Sequence, residues 1–227
     1  MTPLENDAFI VCHDYNLIKQ LESSEQFSAL PNYKYLLVGQ SKSISAEYSD
    51  KIIVCENLPH NIESLPNLLT FTAWYAISKN NLSKTKWVTI FEYDVEIKNG
   101  INCELDDFDA IGYVEYLIDS EKSFRDYPPY ISEYVEKFNI TDHEKKIYNL
   151  YGSEKWACTT NFTLKNTFLN EFVDYYYKLI LEENIYNKVK QAHIHERMIT
   201  LFCLINHNKI KLEEGYLEHF GKLSHGI

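Results

Sequence analysis

The sequence predicts an α/β fold built on a mostly parallel central sheet. Residues Lys86 to Ile97 open on a continuous run, Trp87-Val88-Thr89-Ile90-Phe91. Unbroken β-branched and aromatic composition of that kind marks a strand buried on both faces. Along the first half of the chain, short apolar runs and helical stripes follow in the order strand, helix, strand, strand, helix, strand. Right-handed crossovers fold that order into a parallel sheet with helices on its faces. The 227 residues are 45% hydrophobic and include 18 Tyr and 12 Phe, enough to pack the core of one domain.

Ala8 to Cys12 is the first strand, followed by His13-Asp14-Tyr15. Leu17, Ile18 and Leu21 give a helical stripe that Pro31-Asn32 ends. Tyr35 to Val38 is the second strand, closed by Gly39-Gln40-Ser41, and Ile52 to Cys55 the third, closed by Glu56-Asn57-Leu58-Pro59. The next helix is expected to be capped by Ser64, with Pro66 in its first turn. Leu65, Leu68, Leu69, Thr72, Ala73 and Ala76 share one side of it, and Asn80-Asn81 ends it.

After the central strand, Asp109 to Tyr113 is a fifth. Residues 119–150 are polar and carry Pro128-Pro129. They are expected to cross the sheet's carboxyl edge, with a short helix at Ile131 to Phe138. Phe168, Phe172, Tyr175, Tyr176 and Leu179 mark a long amphipathic helix whose aromatic stripe is core packing. A last helix follows His193-Ile194-His195-Glu196-Arg197 and buries Met198, Leu201, Phe202 and Ile205. Ile210 to Leu212 is an edge strand, and the tail from Gly215 to Ile227 carries His219 and His225.

Composition excludes several functions. A net charge of −11 is the wrong sign for a nucleic-acid backbone. The same charge means that an anionic small ligand needs a local cation. With 7 Gly in total, the chain has neither G-x-G-x-x-G after its first strand nor a P-loop, so any phosphate is held another way. The five cysteines form no C-x-x-C pair and read as reduced core residues of a cytoplasmic protein. No basic region followed by an apolar stretch opens the chain, and no run is long enough for a membrane span.

The central strand ends in Glu92-Tyr93-Asp94. Alternation along a strand sends Glu92 and Asp94 to one face and Tyr93 to the other. A buried carboxylate without a partner costs several kcal/mol or stays protonated, and a cation relieves that cost. Two carboxylates at a strand end, where open α/β sheets bind ligands, suit a hard divalent ion. Read as residues alone, an E-x-D triplet also fits an ordinary turn.

Together these features resemble the GT-A glycosyltransferases. That family ends a central strand of its nucleotide-binding half with an acidic D-x-D-type triplet. A helix-borne acid follows in the acceptor half, and a histidine stands near the C-terminus. The resemblance covers most of the chain and is nearest to the compact domains of viral or bacterial surface-glycan enzymes. It implies a nucleotide-sugar-binding half over about residues 1–115 and an acceptor half over about 116–227. It further implies a Mn²⁺ or Mg²⁺ ion held by Asp94, Glu92 and His225, ahead of His219. The first triplet residue is Glu rather than Asp, which leaves Asp94 as the main ligand.

By the same resemblance Glu196 is the general base of an inverting transfer. As a residue alone it is equally a first-turn acid favouring its helix dipole. Arg197 fits a partner for diphosphate or for Glu196, and equally an ordinary surface charge. The donor would be a nucleotide diphosphate sugar giving up a hexosyl or deoxyhexosyl group. The acceptor would be a glycan or glycoconjugate, as in polysaccharide biosynthesis. Donor recognition is expected from His13, Asp14, Tyr15, Gln40, Ser41, Asn57 and Tyr93 at the strand ends, and acceptor contacts from Trp156 and Asn161. The alternatives are a non-catalytic nucleotide-sugar-binding domain of the same fold, a different α/β enzyme such as a metal-dependent phosphatase or nucleotidyltransferase, and a tyrosine-rich protein-interaction domain.

Overall fold

A computed structural model describes residues 6–24, 26–28, 30, 32–39, 50–65, 68, 70–97, 107–114, 118–119, 155–156, 159–182, 198–199, 202–203, 206 and 209–219. The first strand, β1, spans Asn6–Cys12, and helix α1 spans Tyr15–Ser24. Strands β2 (Tyr33–Leu37) and β3 (Ile52–Val54) follow, then α2 (Thr70–Lys79) and β4 (Trp87–Glu92). The short strand β5 covers Val95–Ile97, β6 Ala110–Val114, β7 Ile118–Asp119 and β8 Lys155–Trp156. The described chain closes with β9 (Phe162–Lys165), α3 (Asn166–Glu182), β10 (Ile210–Glu214) and β11 (Leu217–His219).

Seven strands form one sheet in the order β10-β6-β9-β4-β1-β2-β3. Its β3, β2, β1 and β4 are parallel neighbours, β10 is parallel to β6, and β9 runs antiparallel between β4 and β6. The strand chosen from its composition, β4, therefore occupies the middle of the sheet. Five of its six residues are buried. This is the mostly parallel α/β sheet that the sequence predicts.

One face of the sheet packs on α2 and α3. Val88 and Ile90 of β4 join Phe71, Trp74 and Ile77 of α2, and Phe168, Phe172 and Tyr176 of α3, in one core. The aromatic stripe of α3 is core, as expected. The other face packs on α1, where Phe91, Ile10 and Tyr35 meet Ile18, Leu21 and Phe27. Cys12, Cys55 and Cys203 are reduced and buried.

One expectation needs correcting, and one strand has no counterpart in the sequence analysis. The described helix α2 begins at Thr70, not at Ser64. The chain before it makes tight turns, with Leu65 N–H donating to Ile62 O and Leu68 N–H to Leu65 O, spacings too short for α-helix. The polar run Thr159-Thr160-Asn161 leads directly into β9, a strand that the sequence pattern does not show. The bland end of α2 is as expected: Asn81 takes a positive φ of 49° and closes the helix. The helix expected at 131–138 lies outside the described residues, as does all of the excursion expected over 119–150 except Asp119, which ends β7.

Gly112 in β6 is a packing glycine. A Cβ there would lie 2.7 Å from Cε1 of Phe162 and 3.1 Å from Cδ2 of Leu212. A side chain at position 112 would therefore force the Phe162 ring of β9 to shift.

Candidate functional site

Parallel β3, β2, β1 and β4 all point their carboxyl ends to one edge. This places Cys55-Glu56-Asn57, Val38-Gly39, Cys12-His13-Asp14 and Glu92-Tyr93-Asp94 along it. Hydrogen bonds tie the ends together: Val38 N–H donates to Cys12 O and Tyr93 N–H to Val11 O. The described charged side chains of these ends and of the loop from Cys55 to Leu65 are all acidic. They are Asp14, Glu56, Glu63, Glu92 and Asp94, with no lysine or arginine among them.

Glu92 is the last residue of β4. Its side chain turns to the α2 face, where the buried Thr70 hydroxyl donates to Oε1 at 2.5 Å. Its backbone N–H donates to Asn161 Oδ1 at 2.8 Å. Asn161 is only 1% exposed, and its own N–H and Nδ2 both donate to Thr159 Oγ1. This corrects the expectation that Asn161 faces an acceptor: its amide is spent on the end of β4.

Tyr93 packs toward the α1 face, in edge contact with His13 at 4.9 Å between ring centroids. Burial, with the Asp94 charge adding, pushes the Tyr93 phenol up to about 12, so it remains a hydrogen-bond donor at neutral pH. Burial likewise lifts the Cys12 thiol to about 11, which removes it as a nucleophile.

Asp94 is half-buried, and its Oδ1 is buried with no hydrogen-bond partner among the described residues. The backbone around it is bracketed by Gln26, whose Nε2 donates to Tyr93 O at 3.1 Å and to Val95 O at 2.5 Å. Immediately afterwards the chain leaves the main sheet. β5 pairs with β11 in antiparallel register, Val95 opposite His219. β11 therefore ends beside the acidic turn.

The described donors suit a hard divalent ion, since an orphaned buried carboxylate oxygen is the atom such an ion would satisfy. Two carboxylates stand at the turn, and among the described residues no three His, Cys, Asp or Glu side chains converge. The expected third ligand, His225, lies outside the described residues, as do the expected base Glu196, Arg197, Gln40 and Ser41.

The remaining expected residues fall as follows. His13 is exposed at the end of β1, and Asn57 is exposed at the end of β3. Tyr15 is half-buried in the first turn of α1 with Lys19 Nζ 5.3 Å from its ring centre. Asp14 is a helix cap: its Oδ1 accepts from Asn16 N–H, and its carbonyl from Leu17 and Ile18. Trp156 lies on β8, paired with Ile118.

Glu63, Thr70 and Gln26 also meet at this edge and its acidic turn. Glu63 Oε2 accepts from Gly39 N–H at 2.8 Å, while its Oε1 is buried without a partner among the described residues. Nothing in sequence spacing marks these residues. Each is one polar side chain in a turn or at a helix start, and only the packing of distant segments brings it to the edge.

The sequence matches no protein-family model and no curated protein. Solved structures do match it. The apo structure of the bifunctional glycosyltransferase WbbM aligns over 94% of this chain and 45% of that one, at a TM-score of 0.57 and 13% identity. The apo form of the glycosyltransferase GlyE from Streptococcus pneumoniae TIGR4 aligns over 90% of this chain and 44% of that one, at a TM-score of 0.45 and 11% identity. The chain thus spans less than half the length of either. The likeness to WbbM shows a shared fold, the GT-A-like α/β arrangement that the sequence predicts.

Proposed function

We propose that this chain is the catalytic domain of a divalent-metal-dependent glycosyltransferase. It moves a hexosyl or deoxyhexosyl group from a nucleotide diphosphate sugar to a hydroxyl of a glycan or glycoconjugate. The observation that carries the reading is Asp94 Oδ1, a buried carboxylate oxygen at the carboxyl end of the central strand with no partner among the described residues. The fold supports it, because WbbM, which shares that fold, is itself named a glycosyltransferase.

Asp94 holds the ion, Mn²⁺ or Mg²⁺, and Glu92 contributes through the carboxylate that Thr70 orients. The end of β11 beside the turn supports His225 as a nitrogen ligand, which favours Mn²⁺. The ion supplies positive charge where the departing diphosphate becomes more negative. No lysine or arginine stands at the described edge to do this instead. His13 and Tyr93 offer ring faces and edges to the nucleotide, with Asn57 and the Glu63 Oε1 acceptor farther along. Glu196 takes the proton of the acceptor hydroxyl as that oxygen attacks the anomeric carbon from the side opposite the diphosphate. The transfer is then inverting.

A panel of nucleotide sugars incubated with Mn²⁺, with free nucleotide diphosphate measured, tests the reading. Release is expected with at least one donor, falling at least ~100-fold in Asp94→Asn, the scale of losing a main electrostatic stabiliser. Release of pyrophosphate or inorganic phosphate would assign a nucleotidyltransferase or phosphatase instead. Mn²⁺-dependent nucleotide binding without release would make the chain a non-catalytic binder of this fold.

A further inference from the structure

We infer that Gln26 is a positioning residue for Asp94: its carboxamide clamps the acidic turn and sets how tightly the turn holds a cation. The inference rests on the metal reading above. A glutamine amide has two N–H donors, and Gln26 Nε2 reaches two carbonyls, those of Tyr93 and Val95. These are the carbonyls of the residues on either side of Asp94, so one side chain spans the turn from the peptide that enters Asp94 to the peptide that follows Val95. The clamp comes from a segment 67 to 69 residues away in sequence.

The place is one where a clamp is needed. β4 pairs with β1 up to Glu92, and β5 pairs with β11 from Val95. Between them, Tyr93 N–H is held by Val11 O, and Asp94 sits in the turn where the chain passes from one sheet to the other. Thr70 holds the Glu92 side of the turn from the α2 face, and Asn161, just before β9, holds the Glu92 backbone N–H from the neighbouring strand's side. Gln26 holds the Asp94 side from the α1 face. Its own position is set by Phe27, which is fully buried in the α1-face core.

A carboxylate that must meet an ion with one buried oxygen binds best when its backbone is already fixed, because the ordering cost is met on folding. Outer partners that orient metal ligands typically govern affinity by 10- to 100-fold.

The test is Mn²⁺ alone, titrated into the full chain with free Mn²⁺ followed by its electron paramagnetic resonance signal. Gln26→Ala is expected to weaken binding about 10-fold. Gln26→Met keeps the bulk without the donors and is expected to do the same, so the test survives a poorly folding alanine variant. Tyr33→Phe is the control, because it removes a hydrogen bond to Glu22 near the amino ends of the strands. It should leave Mn²⁺ affinity unchanged. Wild-type affinity in both Gln26 variants overturns the clamp and leaves the metal reading standing. Equal weakening in Tyr33→Phe also overturns it, by reducing Gln26 to a general stabiliser. A wild-type chain that binds no Mn²⁺ overturns both.

Discussion

Asp94 and Glu63 each keep one carboxylate oxygen buried and unanswered among the described residues. Such groups cost stability, so neutralising either should stabilise the fold. Asp94→Asn is expected to melt at or above the wild-type temperature while losing the Mn²⁺-dependent release, a split that separates a site residue from a structural one. For Glu63 the pH dependence has a definite sign. Burial raises its carboxyl above the ordinary value of 4.5, the Gly39 N–H works against this, and the nearby Glu56 charge adds to it. The folded chain therefore binds this proton more tightly than the unfolded chain. Its contribution to stability is fully present below the ordinary value and is lost as pH rises through the folded value. Glu63→Gln should match wild type in thermal melts at pH 3.5 and melt higher at pH 7. A wild-type melt that loses nothing to Glu63→Gln across that range would contradict the assignment.

Elements whose residues announce a single environment were legible in the sequence. β4 is apolar throughout and lies mid-sheet, and α3 carries its aromatic stripe into the core. β9 was not legible, because it places a threonine in the core. Thr163 is fully buried only because Thr89 Oγ1 and Tyr113 Oη meet its hydroxyl at 2.9 and 3.0 Å. A hydroxyl residue reads as exposed until its partners on two other strands are known. The same strand depends on Gly112. Replacing it with alanine should cost about 1–3 kcal/mol, the range for overpacking a core, because Phe162 must give way. Chemical denaturation measures this, and a loss below about 0.5 kcal/mol would show that Phe162 relaxes freely.

α1 is fastened by another long-range set. Glu22 accepts hydrogen bonds from Tyr33 at 2.7 Å, Tyr35 at 3.0 Å and Lys51 at 2.7 Å. Burial disfavours its charge, but these three donors outweigh burial and hold the carboxyl below its ordinary range. The helix is thereby joined to β2 and to the start of β3.

Over the whole molecule, the parallel strands bring residues from sequence positions 13 to 94 to one edge whose described charges are negative. A nucleotide diphosphate should then bind weakly alone and well with a cation. Saturating Mn²⁺ and UDP at about 100 times the dissociation constant would add about 2.7 kcal/mol to stability. At about 2–4 °C per kcal/mol for a chain of this size, the melting temperature rises by roughly 5–10 °C. EDTA should abolish the shift, and UDP or another nucleoside diphosphate that shifts it equally without metal would contradict the reading.

The sequence by itself determined the α/β class, the central strand and the acidic residues at its tip, because burial on both faces of a strand demands an uninterrupted apolar run. It also marked Asp94 as the residue with most at stake. Tertiary structure alone decided which carboxylates found partners. Thr70 answers Glu92, the clamp of Gln26 brackets Asp94, and Oδ1 of Asp94 is left unanswered. Those outcomes depend on side chains meeting across dozens of residues of chain, and a one-dimensional pattern carries no record of such meetings.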